Sequence, residues 1–322
     1  MRYFVTGGTG FIGGRLVAVL QERSHEVVSL VRNPMKAARL ANLGVEIAAG
    51  DVTDRASLVA PMRGVDGVFH VAAWFEVGTD ATSAEAVNVD GTRNVLETMR
   101  ELGIPKGVYT STVAINSNTH GRVVDESYRF EGRHISRYDE TKARAHHEVA
   151  LPLIAKGLPL VVLMPGLVYG PGDTGQMGAL MRRALEGRRV LLPGGSAGVC
   201  WAHIDDIADA HVRAMERGEI GRSYIVTGPC HTFREGFETA ARVVGAPLRA
   251  VFVPPIVLHG LARLMAVVER VVRVPGEFSS EGMRVGGGTT YYGDNALARR
   301  ALGFEPRPLE RGLAETFGAS RP

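Results

Sequence analysis

The 322-residue sequence holds only two cysteines, Cys200 and Cys230, too few for a disulfide scaffold. With the first apolar run beginning at residue 2 or 3, no signal peptide is expected, and the default is two reduced thiols in a cytoplasmic protein. Lysine and arginine form no block, and the net charge is only +3, so nucleic-acid binding is not expected. No long uninterrupted hydrophobic run is present. The most apolar stretch, Val251 to Val274, is broken by His259, Arg263, Glu269, Arg270 and Arg273, and predicts an amphipathic helix on a core, with no membrane partner. Internal repeats and low-complexity tracts are lacking. The histidines lack metal-ligand spacing. His146 and His147 are adjacent and cannot face one ion from one helix face, and His70 ends a predicted strand, so no metal is expected.

What is present begins at residue 2. Arg2-Tyr-Phe-Val-Thr-Gly-Gly-Thr-Gly-Phe-Ile-Gly13 reads as a short strand, a glycine turn and a helix start. Gly7 supplies the tight turn, Gly10 lets backbone approach a pyrophosphate, and Gly13 lets helix close on strand. The helix N-terminus, with Phe11 and Ile12, offers free N–H groups to phosphates. Further strands are predicted at Glu26–Val31, Val45–Ala49, Gly67–Val71, Gly107–Ser111 and Leu160–Met164. Helices are predicted over 11–23, 35–43, 55–62, 83–102 and 138–157. Most of these strands are apolar throughout, as expected when helices cover both faces of a sheet. The alternation predicts an α/β Rossmann architecture, a doubly wound parallel sheet. After Pro165 the rhythm breaks. A smaller, mostly helical C-terminal substrate lobe is expected from 171–202 and 229–322, with 203–228 returning to the nucleotide-binding domain of 1–170.

Tyr138 and Lys142 lie one helical turn apart on one face. A free phenol ionises near pH 10, too high for base chemistry at neutral pH. A nearby ammonium and an oxidised nicotinamide both favour phenolate. Tyr109-Thr-Ser-Thr112 ends the fifth predicted strand, at the sheet edge where open α/β folds bind ligands. A hydroxyl there can donate to a substrate oxygen as charge develops.

These motifs, with His70-Val-Ala-Ala73, Asn88-Val-Asp-Gly-Thr-Arg-Asn-Val-Leu96, Pro165-Gly-Leu-Val-Tyr-Gly-Pro-Gly172, His203-Ile-Asp-Asp206 and the closing stretch Tyr291 to Pro306, resemble the extended short-chain dehydrogenase/reductases along essentially the whole chain. The dihydroflavonol-4-reductase-like branch is the nearest likeness. The resemblance implies that Tyr138 is the general acid/base and that Lys142 holds the nicotinamide ribose. Thr112 is implied as the family's hydroxyl, with Ser111 as the alternative. It further implies that Ala72 and Ala73 pass the cofactor phosphates and ribose, that Pro165 to Val168 border the nicotinamide, that Asp51 and Val52 border adenine, and that Asn88 is the family's helix asparagine, in either a structural, sheet-bracing role or a catalytic one. His203 with the carboxylates after it is implied as a structural helix entrance.

No carboxylate closes the second strand; Arg32 stands there, with Lys36 and Arg39 beyond. A guanidinium suits a ribose 2′-phosphate, so NADP is expected over NAD. Ser111-Thr-Val-Ala114 lacks the acidic pair of sugar dehydratases. Gly166 stands where sugar-nucleotide epimerases of the family carry asparagine, and Gly198-Val-Cys-Trp-Ala202 lacks their arginine. Trp74, Phe75, Ile115 and Trp201 are candidates for an apolar substrate pocket. The expectation is an NADP-dependent reductase of an aldehyde or ketone. The alternatives are a sugar epimerase retaining its nicotinamide and a non-catalytic NADP-binding sensor. A homodimer through helices 83–102 and 138–157 is a further possibility.

Overall fold

The computed structural model describes residues 1–75, 81–269, 271–272, 274 and 279–318. Seven strands form one parallel sheet: β1 (Arg2–Thr6), β2 (Glu26–Val31), β3 (Glu46–Ala49), β4 (Gly67–His70), β5 (Gly107–Thr110), β6 (Leu160–Pro165) and, after three strands outside this sheet, β10 (Ser223–Val226). Their order is β10-β6-β5-β4-β1-β2-β3. The chain reverses direction between β1 and β4, which opens a crevice at their carboxyl ends.

Strand periodicity sorts side chains to the two faces. Tyr3, Val5, Val108, Val161 and Leu163 belong to one buried cluster, which the helices Phe11–Glu22 and Ile204–Arg217 close. Phe4, Tyr109, Val162 and Met164 belong to the other, closed by helices Ala56–Met62 and Gly91–Glu101 and by the run from Arg137 to Ala155. Because both faces are covered, the alternation is masked in sequence and the strands read as continuous apolar runs.

Beyond Pro165 the chain carries more strand than the sequence predicts. β7 (Leu167–Tyr169), β9 (Gly198–His203), β11 (Cys230–Thr232) and β13 (Thr290–Tyr291) form a small sheet, and β8 (Val190–Pro193) pairs with β12 (Ala250–Val253). Near the C-terminal end, Ala298, Leu302 and Phe304 join the buried cluster beneath helix Ile204–Arg217. At the entrance of that helix, Asp205 pairs with Arg15 at 2.6 Å and Asp206 with Arg307 at 2.7 Å. The segment after His203 is thus an ion-paired joint.

Two expectations are corrected. Cys200 and Cys230 face each other as antiparallel partners of β9 and β11 and are joined in a disulfide. Strand register brings together residues 30 positions apart, which composition does not reveal. The stretch expected to lie as an amphipathic helix on a core forms helix Pro255–Val268, yet only Ala262 of that helix is buried. Among the described residues, no helix is long and apolar enough to cross a membrane.

Candidate active site

The glycine turn sits where β1 meets helix Phe11–Glu22. Gly7 has φ +75°, and a Cβ built there would stand 2.7 Å from the Ala72 backbone nitrogen. At Gly13 a Cβ would stand 2.2 Å from the Gly7 carbonyl oxygen. Neither backbone contact can give way, so both positions require glycine. The Gly10 N–H donates to the Gly7 carbonyl at 2.9 Å, and Gly10 itself is exposed at the helix N-terminus. Phe11 and Ile12 are half-buried in the first turn. The cradle therefore leaves its open side lined by backbone, as a dinucleotide pyrophosphate requires.

Thr6 and His70 fix the facing loop. The Val71 and Ala72 N–H groups donate to Thr6 Oγ1 at 3.2 and 3.1 Å. His70 Nδ1 lies 2.8 Å from the same hydroxyl, and its Nε2 lies 3.0 Å from Thr92 Oγ1. Burial, with Lys142 nearby, lowers His70 to about 3, so the ring is neutral and bridges β1, β4 and helix Gly91–Glu101. Ala72 and Ala73 follow on that loop, half-buried and exposed. Asn88 continues the bracing. It exchanges hydrogen bonds with the Trp74 backbone at 2.8 and 3.2 Å and donates to Thr141 Oγ1 at 3.0 Å. This ties the loop after β4 to the helix carrying Tyr138.

Arg32 is exposed directly after β2. Lys36 ends a short turn, Pro34–Lys36, and its side chain is outside the described set. Asp51 accepts from the Thr53 N–H and hydroxyl at 2.9 and 3.0 Å. Val52 is buried against Gly91.

Ser136 starts the helix Arg137–Arg144 by accepting from the Asp139 N–H at 3.0 Å. That helix places Tyr138 over the end of β5. Burial pushes the Tyr138 phenol above its ordinary value, a hydrogen bond with Thr112 opposes this, and the Asp139 charge adds to it. One turn on, Lys142 is buried, and its Nζ donates to the Thr110 carbonyl at 2.8 Å and to the Tyr109 hydroxyl at 3.1 Å. Burial lowers Lys142 to about 7. Ser111 and Thr112 separate cleanly. Ser111 Oγ is 3.0 Å from the buried His146 Nδ1, whereas Thr112 engages Tyr138 and caps the turn Val113–Asn116. Thr112 Oγ1 also donates to the Pro165 carbonyl at 3.5 Å. Val168 lies beyond it on β7, half-buried.

Of the four pocket candidates, two stand near the tyrosine. The Phe75 ring meets Tyr138 edge to face at 4.8 Å, and Trp74 is half-buried in the same loop. The other two lie deeper: Ile115 is buried in the core, and Trp201 is wedged between Tyr169 and Phe233, with Gly236 pressed against its ring. An apolar residue close to the site in sequence has the same signature whether it faces a pocket or a core.

Sequence reasoning overlooked Asp139. It is buried beside the tyrosine and accepts from Tyr291 Oη at 2.8 Å, linking the helix to the C-terminal lobe. Burial raises it to about 7; hydrogen bonds from Ser136 and Tyr291 oppose this, and Glu281 adds to it. Its spacing of three from Ser136 was the available sign, since it marks the first turn of a capped helix.

Fold, glycine cradle and tyrosine–lysine helix together define an extended short-chain dehydrogenase/reductase, and the comparisons agree. Residues 3–227 match the NAD dependent epimerase/dehydratase family, and the chain belongs to it. It is 30% identical to sterol demethylase protein B of Methylococcus capsulatus, over 98% of this chain and 97% of that one. It is 32% identical to the 2-alkyl-3-oxoalkanoate reductase of Stenotrophomonas maltophilia, over 99% of each. Among solved structures, a double mutant of the dTDP-glucose 4,6-dehydratase DesIV from Streptomyces venezuelae, with NAD bound, superimposes with a TM-score of 0.78 at 25% identity, over 98% of this chain and 95% of that one. The protein is accordingly an enzyme of the NAD(P)-dependent oxidoreductase type.

Proposed function

We propose that the protein is an NADP-dependent reductase of a lipophilic ketone or aldehyde. The observation that carries this reading is the convergence of Thr112, Tyr138 and Lys142 at the end of β5, beside the glycine cradle. When bound, the nicotinamide supplies a hydride to the carbonyl carbon, or removes one from the alcohol. Thr112 donates a hydrogen bond to the carbonyl oxygen, and Tyr138 gives it a proton. A phenol is already protonated at neutral pH, the form that reduction requires, and burial reinforces that state here. Lys142 lies one turn from Tyr138, where its ammonium would offset the phenolate left behind and would hold the cofactor ribose.

Arg32 supports NADP. An exposed guanidinium just past β2, where NAD enzymes of this fold place a carboxylate, suits the 2′-phosphate. Phe75 and Trp74 give the substrate side an apolar wall, and the names of the two relatives point to sterol and alkyl-chain chemistry. Gly166 argues against a sugar-nucleotide epimerase. A Cβ there would stand 2.3 Å from the Cys200 carbonyl oxygen, so no asparagine fits without moving β9. A sensor would have no use for all three catalytic groups. The homodimer is retained as a proposal. The two helical segments concerned carry ion pairs at the surface, among them Arg144 with Glu85 at 2.7 Å and Arg55 with Glu97 at 3.4 Å, so that interface would be polar.

The test is to denature the purified protein and identify any released cofactor. An empty or exchangeable NADP site supports the reductase. Stoichiometric, tightly retained NAD contradicts it and supports the epimerase.

A further inference from the structure

Helix Pro255–Val268 turns an apolar stripe outward. Ile256, Gly260, Leu264 and Val267 follow at helical spacing on one face, with Arg263 among them, and Ile256, Leu264 and Val267 are 80%, 59% and 59% exposed. The opposite flank is the covered one, with Ala262 buried and Leu258 against Gly286. An apolar patch of this kind on an otherwise polar surface marks a contact site.

The charge around it is net positive. From Arg249 to Arg284 the sequence holds five arginines and three carboxylates, Glu269, Glu277 and Glu281. Two of these carboxylates are engaged by hydrogen bonds: the Ser280 N–H and hydroxyl donate to Glu269 at 2.6 and 2.7 Å, and the Arg137 N–H donates to Glu281. Arg249, Arg263 and Arg284 are exposed. At 14 residues the helix is about 21 Å long, short of the ~30 Å hydrocarbon core, so it cannot span a bilayer. An apolar stripe with a cationic flank is the pattern of a helix lying in the plane of a membrane interface.

We infer that this face seats the protein on an anionic lipid surface. A second copy is the poorer occupant, because a two-fold pairing sets the same arginines against each other. Anionic headgroups instead match them. Hydrogen bonds also link the end of this helix to the candidate active site. Glu269 holds the first residue of helix Ser280–Gly286, and Glu281 of that helix accepts from the Arg137 N–H, immediately before Tyr138. The inference stands apart from the reductase reading, since its test measures binding and not turnover.

The test is co-sedimentation of the full chain with vesicles of equal parts phosphatidylglycerol and phosphatidylcholine, and with phosphatidylcholine alone. Binding is expected to the mixed vesicles, about tenfold or more weaker to phosphatidylcholine alone, and reduced by salt. Ile256→Glu with Leu264→Glu should abolish it, and Arg249→Glu with Arg263→Glu should weaken it about tenfold or more. These side chains are exposed, so an unchanged melting temperature serves as the folding control, and Leu264→Ser is the milder substitute. Wild-type protein left in the supernatant with mixed vesicles would overturn the inference. So would a lipid-free dimer that Ile256→Glu with Leu264→Glu converts to monomer, because a second copy would then cover the face.

Discussion

Replacing Asp139 by asparagine should change how stability depends on pH. The carboxyl ionises near 3.8 in an open chain and near 7 in the folded protein, where burial opposes its charge. A raised folded value means that its contribution is fully present below about pH 4 and is lost as pH rises through 7. Three pKa units correspond to about 4 kcal/mol in total, of which about 3 kcal/mol falls between pH 5 and 8. Structural relaxation reduces such linkage terms, so about 1–2 kcal/mol is the expected difference across that window. Asparagine cannot ionise and keeps an acceptor for Tyr291. Wild-type unfolding free energy, measured by urea titration, should therefore fall relative to Asp139→Asn as pH rises from 5 to 8. Parallel curves for the two proteins would refute the assignment of a protonated carboxyl at this position. The same substitution removes a negative charge beside Tyr138, so the rise of alcohol oxidation with pH, which needs the phenolate, should move to lower pH.

Three further outcomes are expected. Thr112→Val should lower kcat by about 10²–10³-fold, whereas Ser111→Ala, whose hydroxyl meets His146, should leave it within about tenfold, as steady-state kinetics will check. Arg32→Glu should raise KM for NADPH and improve use of NADH, because a carboxylate repels the 2′-phosphate and binds the 2′-hydroxyl; an unchanged NADPH/NADH ratio would place the phosphate elsewhere. Thiol titration of the unfolded, unreduced protein should find no free thiol, and two thiols would mean that Cys200 and Cys230 are not bonded.

The sheet was legible because each strand is a short apolar run and each helix has its own period. The glycine turn was legible because its spacing is dictated by backbone contacts, the Cβ positions at Gly7 and Gly13 being occupied by other chain segments. The two small lobe sheets were not, since strands of two to six residues depend on partners far away in sequence. The cysteine pairing was hidden for the same reason. At the site, motif spacing located Tyr138 and Lys142, but which hydroxyl faces the tyrosine depended on the position of His146. Ile115 and Trp201 were legible as apolar but not as buried among the core side chains, and Asp139 shows that a buried acid in a helix start can read as an ordinary cap.

The most direct test is NADPH oxidation with a panel of lipophilic ketones, run in parallel with NADH and with Tyr138→Phe. The expected result is turnover preferring NADPH that falls about 10²–10⁴-fold in the phenylalanine variant. Tight NADPH binding without turnover of any carbonyl, or near-normal turnover by Tyr138→Phe, would contradict the assignment.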